Sequence, residues 1–455
     1  MKKLLALLLT LTLLLGTASA LAANLTLGIY PPDTDAVAKE VHDTSYIPAF
    51  KVALPDVELV PANYIYSGET FTALAESGKV PTIFETWYTE PQKLIKNKQV
   101  ADITDQLTEL GWLDKINPSI RALLSDENGR VYGIPRDGYA LGLMLNAEVF
   151  ADAGLVDENG IPLFPKTWDE LIEAGKVIKE KTGSAALCLL AQDNAGGWHF
   201  SNIAWTFGAK LQHKDEADKW QAQLNTPEVV AAMTMVQTLA KKGLLTSDPT
   251  SENWGTGFAA LGTGSAAMYI AANDAVMQPT QNNGLPVDKL MMVGMPAGSD
   301  RSYSLSGGTP YMFSANATPE EIMAALKYVE IMGKAPVLTE ASKAGLVADA
   351  EYRVDAGIPV IPNFPVWTDE EFNAAQAEVV AKYSNVDARM FQNYFDTVKS
   401  EGNLRMEEPM ETQVMYAELT KVLQEVVTNP EANIQALLDT ADANFQTVLD
   451  ENINK

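Results

Sequence analysis

Apolar positions recur along this chain with two periods, one typical of buried strands and the other of amphipathic helices. Short apolar runs bounded by turn residues predict strands at 24–30, 81–84 and 139–146. Apolar residues three and four apart predict helices at 167–183, 226–243 and 318–333. Because the two kinds of element alternate, the sequence predicts an α/β architecture with parallel sheets.

Residues suited to helix ends support these boundaries. Threonine precedes each of the three predicted helices and glycine follows it, as in good N-caps and C-terminal stops. Glu170 stands three residues after Thr167 and completes a capping-box pattern. Beyond about residue 366 the pattern is mostly helical.

The first residues have the pattern of an export signal. Lys2 and Lys3 precede an apolar run at 4–15, and small residues then offer a cleavage site, which predicts a signal peptide over 1–22. The run is too short to span a bilayer, and no later stretch is long and apolar enough to do so. Because this segment has no cysteine for a lipid anchor, we expect an exported, soluble protein that is periplasmic or extracellular, with the missing anchor favouring the periplasm.

Composition narrows the classes of partner. The 455 residues suggest two or three compact units, and 59 acidic against 33 basic residues give a net charge of −26. A surface this negative repels nucleic acid and anionic lipid and keeps the protein soluble, so we expect a monomer with no nucleic-acid partner.

Chemistry-bearing motifs are scarce. The one cysteine, Cys188, lies in an apolar run and is expected in the core, and three histidines offer no metal motif. His199 has no nucleophile or acid to partner it, and acidic neighbours such as Glu407-Glu408 are expected on helix starts and solvated faces. The sequence therefore predicts no catalytic residue, metal or cofactor.

Aromatic residues are instead placed where strands or glycine turns end: Tyr30, Trp87, Tyr139, Trp198 and Tyr311. In open α/β sheets, ligands bind beyond the carboxyl ends of the strands. Flat rings beside a few carboxylates and amides suit a sugar, which has apolar faces and a rim of hydroxyls. In "GGWHFSNIAW" (196–205) we expect the glycines to turn the backbone into a helix at the cleft, with Trp198 at its start.

Several segments in order resemble the bacterial extracellular solute-binding proteins of family 1, the maltose-binding-protein-like sugar receptors of ABC importers. The most specific are "GIPRDGYALGLMLNAEVFADAGL" (133–155) and "FPKTWDELIEAGKVIKEKTG" (164–183), and "FAALGTGSAAMYIAANDAV" (258–276) follows. The resemblance covers nearly all of the chain after the signal peptide. In the last segment Asn273 and Asp274 replace a usual aromatic, and Met415 stands where another is sometimes found.

The resemblance implies a two-lobed periplasmic-binding-protein (type II) fold with a hinge and an interlobe cleft. The N-terminal lobe would comprise 23–137 plus 297–340, and the C-terminal lobe 138–296 plus 341–455. Chain crossings would lie near 137–139, 293–296 and 340–360. The ligand-binding residues that it implies are Tyr30, Asp33, Glu85, Thr86, Trp87, Tyr139, Trp198, Asn273, Asp274, Gly308 and Tyr311.

The function that follows is a non-enzymatic receptor that captures a sugar or oligosaccharide and delivers it to a membrane permease. Two alternatives stay open. Carboxylates beside aromatics also suit a cationic solute such as a polyamine, and an aromatic cleft with two carboxylates also occurs in secreted carbohydrate-active enzymes.

Overall fold

The computed structural model describes residues 24–68 and 70–455, so the predicted signal peptide lies outside the described residues. The strands are β1 Asn24–Leu27, β2 Glu58–Pro61, β3 Ile83–Glu85, β4 Gly133–Pro135, β5 Tyr139–Asn146, β6 Ala185–Cys188, β7 Gln212–Lys214, β8 Trp220–Ala222, β9 Ala266–Ala272, β10 Leu290–Val293, β11 Ser304–Gly307, β12 Pro310–Phe313 and β13 Leu404–Met406. The α-helices are α1 Ala36–Val41, α2 Ile47–Ala53, α3 Phe71–Glu76, α4 Pro91–Lys96, α5 Thr104–Glu109, α6 Pro118–Leu123, α7 Ala147–Asp152, α8 Trp168–Thr182, α9 Asp193–Thr206, α10 Pro227–Lys241, α11 Trp254–Gly262, α12 Pro319–Ile331, α13 Glu340–Asp355, α14 Glu370–Tyr383, α15 Arg389–Lys399, α16 Thr412–Thr428 and α17 Ile434–Asn452.

These strands form two main sheets, each with its own hydrophobic core. The first has the order β2-β1-β3-β12-β4, and the second contains β6, β9, β5, β11 and β13, with β10 and β11 along one edge of β5. Two separate clusters of buried side chains pack against them. We call the unit around the first sheet the first lobe and the unit around the second sheet the second lobe.

The α/β class is confirmed, but the prediction of parallel sheets is wrong. β1 pairs in parallel with β2 and β3, whereas β12 is antiparallel to both of its neighbours. In the second sheet β5 is antiparallel to β9, β10 and β11. Alternation of strands and helices along a chain does not fix strand direction when the chain returns to a sheet from the other lobe.

Two chain crossings lie side by side. The chain leaves the first sheet at Pro135 and enters the second at Tyr139, as expected. It returns between Gly307 and Pro310, later than the predicted 293–296, because β10 and β11 both pair with β5. The backbone N–H of Arg136 donates to the carbonyl of Thr309 at 3.0 Å, so the two crossings are hydrogen-bonded to each other.

The observed helix caps agree in part with those that the sequence predicts. Thr318 and Glu321 form a full capping box at α12. At α8, Thr167 caps the backbone of Glu170, but the Glu170 carboxylate accepts from the backbone of Lys166 rather than from that of Thr167. Thr226 makes no side-chain cap at α10, and its buried hydroxyl has no hydrogen-bond partner in the described part of the chain.

Candidate functional site

A cavity of about 610 Å³ opens at the carboxyl ends of the parallel strands of the first sheet. Its walls come from the segments that follow β1, β2 and β3, from the crossing segments and from the turn after α12. Of the predicted residues, the lining includes Tyr30, Glu85, Thr86, Trp87 and Tyr311. The rule that ligands bind beyond strand ends therefore leads to a real concavity in this lobe.

Aromatic and apolar side chains form the rim and one wall. Trp87 is 47% exposed, and its ring lies 5.7 Å from that of Tyr66 in an edge-on arrangement. Ile65, 76% exposed, stands on the same lining. Tyr30 and Tyr46 complete the aromatic lining on the side of α1 and α2. Exposed apolar groups around a concavity are typical of a binding surface rather than of ordinary protein surface.

An ion triad forms the polar part of the cavity. Arg136 contacts Glu85 and Asp137, each with a nitrogen-to-oxygen distance of 2.6 Å. Burial opposes the charge of Arg136, but the two carboxylates outweigh it and raise its pKa. The second oxygen of Asp137 accepts from the backbone N–H of Thr309 at 2.9 Å. The triad thus joins the cavity to both chain crossings.

Two hydroxyl groups in the cavity have no hydrogen-bond partner among the described residues. The Thr86 side chain is only 3% exposed, and its Oγ1 atom is unpaired. The hydroxyl of Tyr64 is likewise buried and unpaired. Leaving such groups unpaired costs free energy, on the order of 1–3 kcal/mol each.

Lys334 adds a cation to this lining. Its side chain is exposed, and the indole of Trp367 donates to its backbone carbonyl at 3.0 Å, which anchors the residue after α12. Desolvation by the surrounding protein and the nearby charge of Arg136 lower the pKa of Lys334. Its ammonium group offers further donors to a ligand oxygen.

Trp198 belongs to an aromatic cluster of the second lobe and not to the cavity lining. It is half-buried, with the Tyr139 ring edge-on at 6.0 Å and the Trp254 ring at 5.4 Å. Its indole N–H has no partner among the residues described. The sequence analysis missed Trp254, at the start of α11, although it follows the Asn253 N-cap as an aromatic at a helix start.

The glycines of "GGWHFSNIAW" have another role than the one expected. Gly196 and Gly197 lie inside α9, which begins at Asp193, so they do not turn the chain. A Cβ on Gly197 would stand 2.1 Å from the carbonyl oxygen of Tyr416. The glycines therefore let α9 approach the backbone of α16. Trp205, later in the stretch, is fully buried.

His199 is fully buried in the second-lobe core. Within the described part of the chain neither ring nitrogen has a hydrogen-bond partner, and aromatic rings surround it, with Trp198 at 4.7 Å and Tyr269 at 5.7 Å. Burial lowers its pKa to about 3, so the ring is neutral.

Asn273 and Asp274 follow β9 with different surroundings. The Asn273 side-chain oxygen is buried and accepts from the backbone of Ala140 and the hydroxyl of Tyr394, so its structural contacts occupy it. Asp274 is accessible to solvent, yet the protein displaces much of the water around it. This desolvation and the nearby Asp137 carboxylate raise its pKa to about 7.

The remaining residues singled out from the sequence lie at the edge of the cavity or outside it. The hydroxyl of Tyr30 donates to Asp43, and Asp33 is paired with Lys39 outside the cavity lining. Gly308 has a φ of 147° and packs against the carbonyl of Asp137 at the crossing, where a side chain would collide. Met415 is fully buried in the core and offers no surface to a ligand.

The expectation that the Glu407-Glu408 pair is solvated is wrong for Glu407. Its side chain is buried, and the Tyr416 hydroxyl donates to it at 2.9 Å. Its second oxygen lies near Gly307, which also contacts the hydroxyl of Tyr139. Cys188, in contrast, is buried in β6 as predicted.

Sequence reasoning missed Arg136, Tyr64, Tyr66 and Lys334 in the cavity. Arg136 stands in the quoted "GIPRDGY" segment, directly after a strand, so the strand-end rule applied to it as well. Within the described residues no group of three or more His, Cys, Asp or Glu side chains is arranged to hold a metal ion. No helix in that part of the chain is long and apolar enough to cross a membrane.

A model of the bacterial extracellular solute-binding protein family matches residues 43–337, more than half of the chain. The chain belongs to this family. The chain is 31% identical over 163 residues to the "Diacetylchitobiose binding protein DasA" of Streptomyces coelicolor, covering 35% of each protein. It is 26% identical over 205 residues to a lactose-binding protein of Rhizobium radiobacter, covering 42% of this chain and 47% of that relative. These matches span less than half of either relative.

Solved structures show that the solute-binding protein fold extends over nearly the whole chain. The GacH receptor of Streptomyces glaucescens superposes with a TM-score of 0.70 at 18% identity, covering 94% of this chain and 99% of that one. The cyclic alpha-maltosyl-1,6-maltose binding protein of Arthrobacter globiformis gives 0.67 at 20% identity, covering 94% and 99%. The predicted two-lobed fold with a hinge and a cleft is confirmed, and the family and these relatives are binding proteins.

Proposed function

We propose that this protein is the substrate-binding receptor of an ABC importer and captures a sugar or short oligosaccharide between its lobes. The observation that carries the proposal is the cavity, which combines an exposed tryptophan, buried tyrosines, a fixed ion triad and two hydroxyls unpaired within the described residues. A sugar ring presents an apolar face to such a wall and hydroxyl groups to such polar atoms. The relatives named for diacetylchitobiose and lactose support this choice.

The geometry gives each group a role in capture. The Trp87 ring packs against a sugar face, Glu85 and Asp137 accept from sugar hydroxyls, and Thr86 and Lys334 donate to sugar oxygens. Because Arg136 holds both carboxylates and lies at the crossings, ligand contacts reach the hinge directly. The second lobe adds Trp198, Tyr139 and Asp274 to the ligand contacts.

Closure is a population shift. A ligand that contacts both lobes binds the closed arrangement more tightly than the open one, and the closed arrangement accumulates in proportion to that difference. The proposed lobe division follows the sheets, with a first crossing near residue 137 and a return near residue 308. Membrane permease subunits then recognise the closed, loaded, monomeric protein, which is exported and loses residues 1–22 in the process.

A cationic solute is the second candidate, and Asp274 is the observation that favours it. Its carboxyl group is accessible and has no cation paired with it among the described residues. In the cavity, however, Arg136 and Lys334 offset two of the three carboxylates of the lining, those of Asp35, Glu85 and Asp137, and this leaves only weak attraction for a polyamine.

The same triad disfavours glycoside hydrolysis. Glycoside hydrolysis needs two carboxyl groups that face the scissile bond, whereas Glu85 and Asp137 of the cavity are both engaged by the Arg136 guanidinium. We therefore propose that the protein binds without cleaving.

One set of assays separates the three candidates. Thermal-shift measurements with diacetylchitobiose, lactose, maltose and spermidine should show stabilisation by a sugar and none by spermidine. Incubation with oligosaccharides should release no new reducing ends. Tryptophan-fluorescence titration of the Trp198→Ala variant should give weaker sugar binding than the unaltered protein. An unchanged binding constant would remove Trp198 from the site.

A further inference from the structure

The two lobes touch beside the cavity. We call this contact the interlobe patch and define it by Thr89, Lys93, Lys96, Glu411, Gln413 and Ile453. Lys93 Nζ lies 3.2 Å from Glu411 Oε2, Gln413 donates to the Thr89 hydroxyl at 3.3 Å, and Lys96 donates to the carbonyl of Ile453 at 2.8 Å. Each of these contacts joins a first-lobe residue to a second-lobe residue.

The Glu411 carboxylate is almost fully withdrawn from water. Its side chain is 4% exposed, against 34% for Lys93, and its other oxygen accepts from the Asn452 amide at 3.1 Å. A buried carboxylate that loses its cation is strongly destabilised unless water can reach it again. Here the cation comes from the opposite lobe, so separating the lobes both breaks the pair and rehydrates the carboxylate.

The backbone conformation of Glu411 indicates that the surrounding structure holds this residue in place. Glu411 precedes α16 with φ 45° and ψ 37°, the left-handed region that residues with a side chain seldom adopt. Such conformations persist where the surrounding structure holds them. Lys93 and Asn452 hold its carboxylate, and the backbone N–H groups of Val414 and Met415 donate to its carbonyl at the start of α16.

The patch is continuous with the cavity wall. Tyr66 lines the cavity, and its hydroxyl donates at 2.7 Å to Glu90, which is buried one residue after Thr89. Lys93 follows one helical turn later on α4. The first-lobe side of the interlobe patch and this part of the cavity wall therefore belong to one hydrogen-bonded segment.

We propose that Lys93 and Glu411 are positioning residues whose ion pair across the cleft stabilises the closed arrangement before any ligand binds. The pair raises the closed fraction of the empty receptor, and ligand affinity rises with that fraction because less of the binding energy is spent on closure. The inference goes beyond the proposed function, since it concerns a ligand-free equilibrium that does not depend on which solute is bound.

Small-angle scattering of the ligand-free protein tests it without knowledge of the ligand. The radius of gyration should increase in Lys93→Met, because the unpaired Glu411 carboxylate regains water only when the lobes separate. In Glu411→Gln the radius should increase by a smaller amount. Lys51→Met is the matched control, because Lys51 is exposed and forms no ion pair within the described residues, and it should leave the radius unchanged. The double swap Lys93→Glu with Glu411→Lys should restore the unaltered radius, which loss of packing alone would not allow.

A sugar probe completes the test. Diacetylchitobiose, if it binds, should bind about tenfold more weakly to Lys93→Met. If no sugar binds any variant, the sugar proposal fails while the scattering result still decides the ion-pair proposal. Equal radii for the unaltered protein, Lys93→Met and Glu411→Gln, all folded by circular dichroism, would overturn it.

Discussion

The Tyr416 hydroxyl donates a hydrogen bond of 2.9 Å to Glu407, a carboxyl group that the second lobe holds almost entirely out of water. Burial is the main reason that the pKa of Glu407 rises from 4.5 to about 7, and the carboxylate of Glu90 in the first lobe adds to the increase. The hydrogen bond from Tyr416 favours the charged form and opposes the shift. A raised carboxyl pKa makes stability depend on pH.

Glu407→Gln should flatten this pH dependence. Between pH 4.5 and pH 7 the folded protein keeps a proton that the unfolded chain releases, so the free energy of unfolding falls as pH rises through this window. The shift corresponds to a loss on the order of 3 kcal/mol. Urea unfolding at pH 5 and pH 8 measures it, and the Gln variant should lose less stability by that amount. Equal losses in both proteins would contradict the burial of a titrating Glu407.

His199→Phe should remove a pH dependence of the opposite sign, in which the protein loses stability as pH falls. Burial lowers the pKa of His199 from 6.5 to about 3, so stability is lost as pH falls from 6.5 toward 3, because only the unfolded chain takes up the proton. Between pH 7 and pH 4 this loss is on the order of 3 kcal/mol. Unfolding at the two pH values should show it in the unaltered protein and in the control His213→Phe. It should be absent from His199→Phe, and its persistence there would show that another group is responsible.

Gly197→Ala should destabilise the second lobe. The added methyl would stand 2.1 Å from the Tyr416 carbonyl oxygen, so α9 and α16 must move apart. Overpacking of this kind costs about 1–3 kcal/mol. Gly345→Ala, in α13, is the control, since an added methyl group would meet no described atom within 4 Å and alanine favours a helix. Thermal unfolding should rank Gly345→Ala at or above the unaltered protein and Gly197→Ala below it. The reverse order would refute the close approach of the helices.

Trp87→Ala should weaken sugar binding by about tenfold or more, since an aromatic ring buried against a ligand contributes about 1–3 kcal/mol. The matched control is Leu163→Ala, which removes another exposed apolar side chain, 54% exposed and outside the cavity lining. Calorimetric titration with the best sugar of the panel gives both affinities. A Trp87→Ala protein that binds as tightly as Leu163→Ala would place the sugar elsewhere.

The strand-end rule explains why part of the cavity was predictable. Tyr30, Glu85, Thr86 and Trp87 follow parallel strands, and the carboxyl ends of neighbouring strands meet at one edge of a sheet. The family resemblance added the second lobe and the hinge. The strand-end rule and the resemblance both use the order of residues within short segments of the chain.

Features that depend on packing between distant segments were not predictable. The resemblance places Asn273 against a ligand, yet Tyr394, 121 residues away, occupies its side-chain oxygen. The acidic pattern predicts a solvated Glu407, but α16 and the first lobe cover it. The sequence predicts a turn at Gly197 because a glycine at a turn and a glycine at a helix crossing have the same sequence signature.

Calorimetric titration of the purified, exported form with diacetylchitobiose, lactose, maltose and spermidine tests the central proposal most directly. We expect saturable binding of one sugar per protein, strongly weakened in Trp87→Ala, and no heat of binding with spermidine. Saturable binding of spermidine with no response to any of the sugars would contradict the proposal.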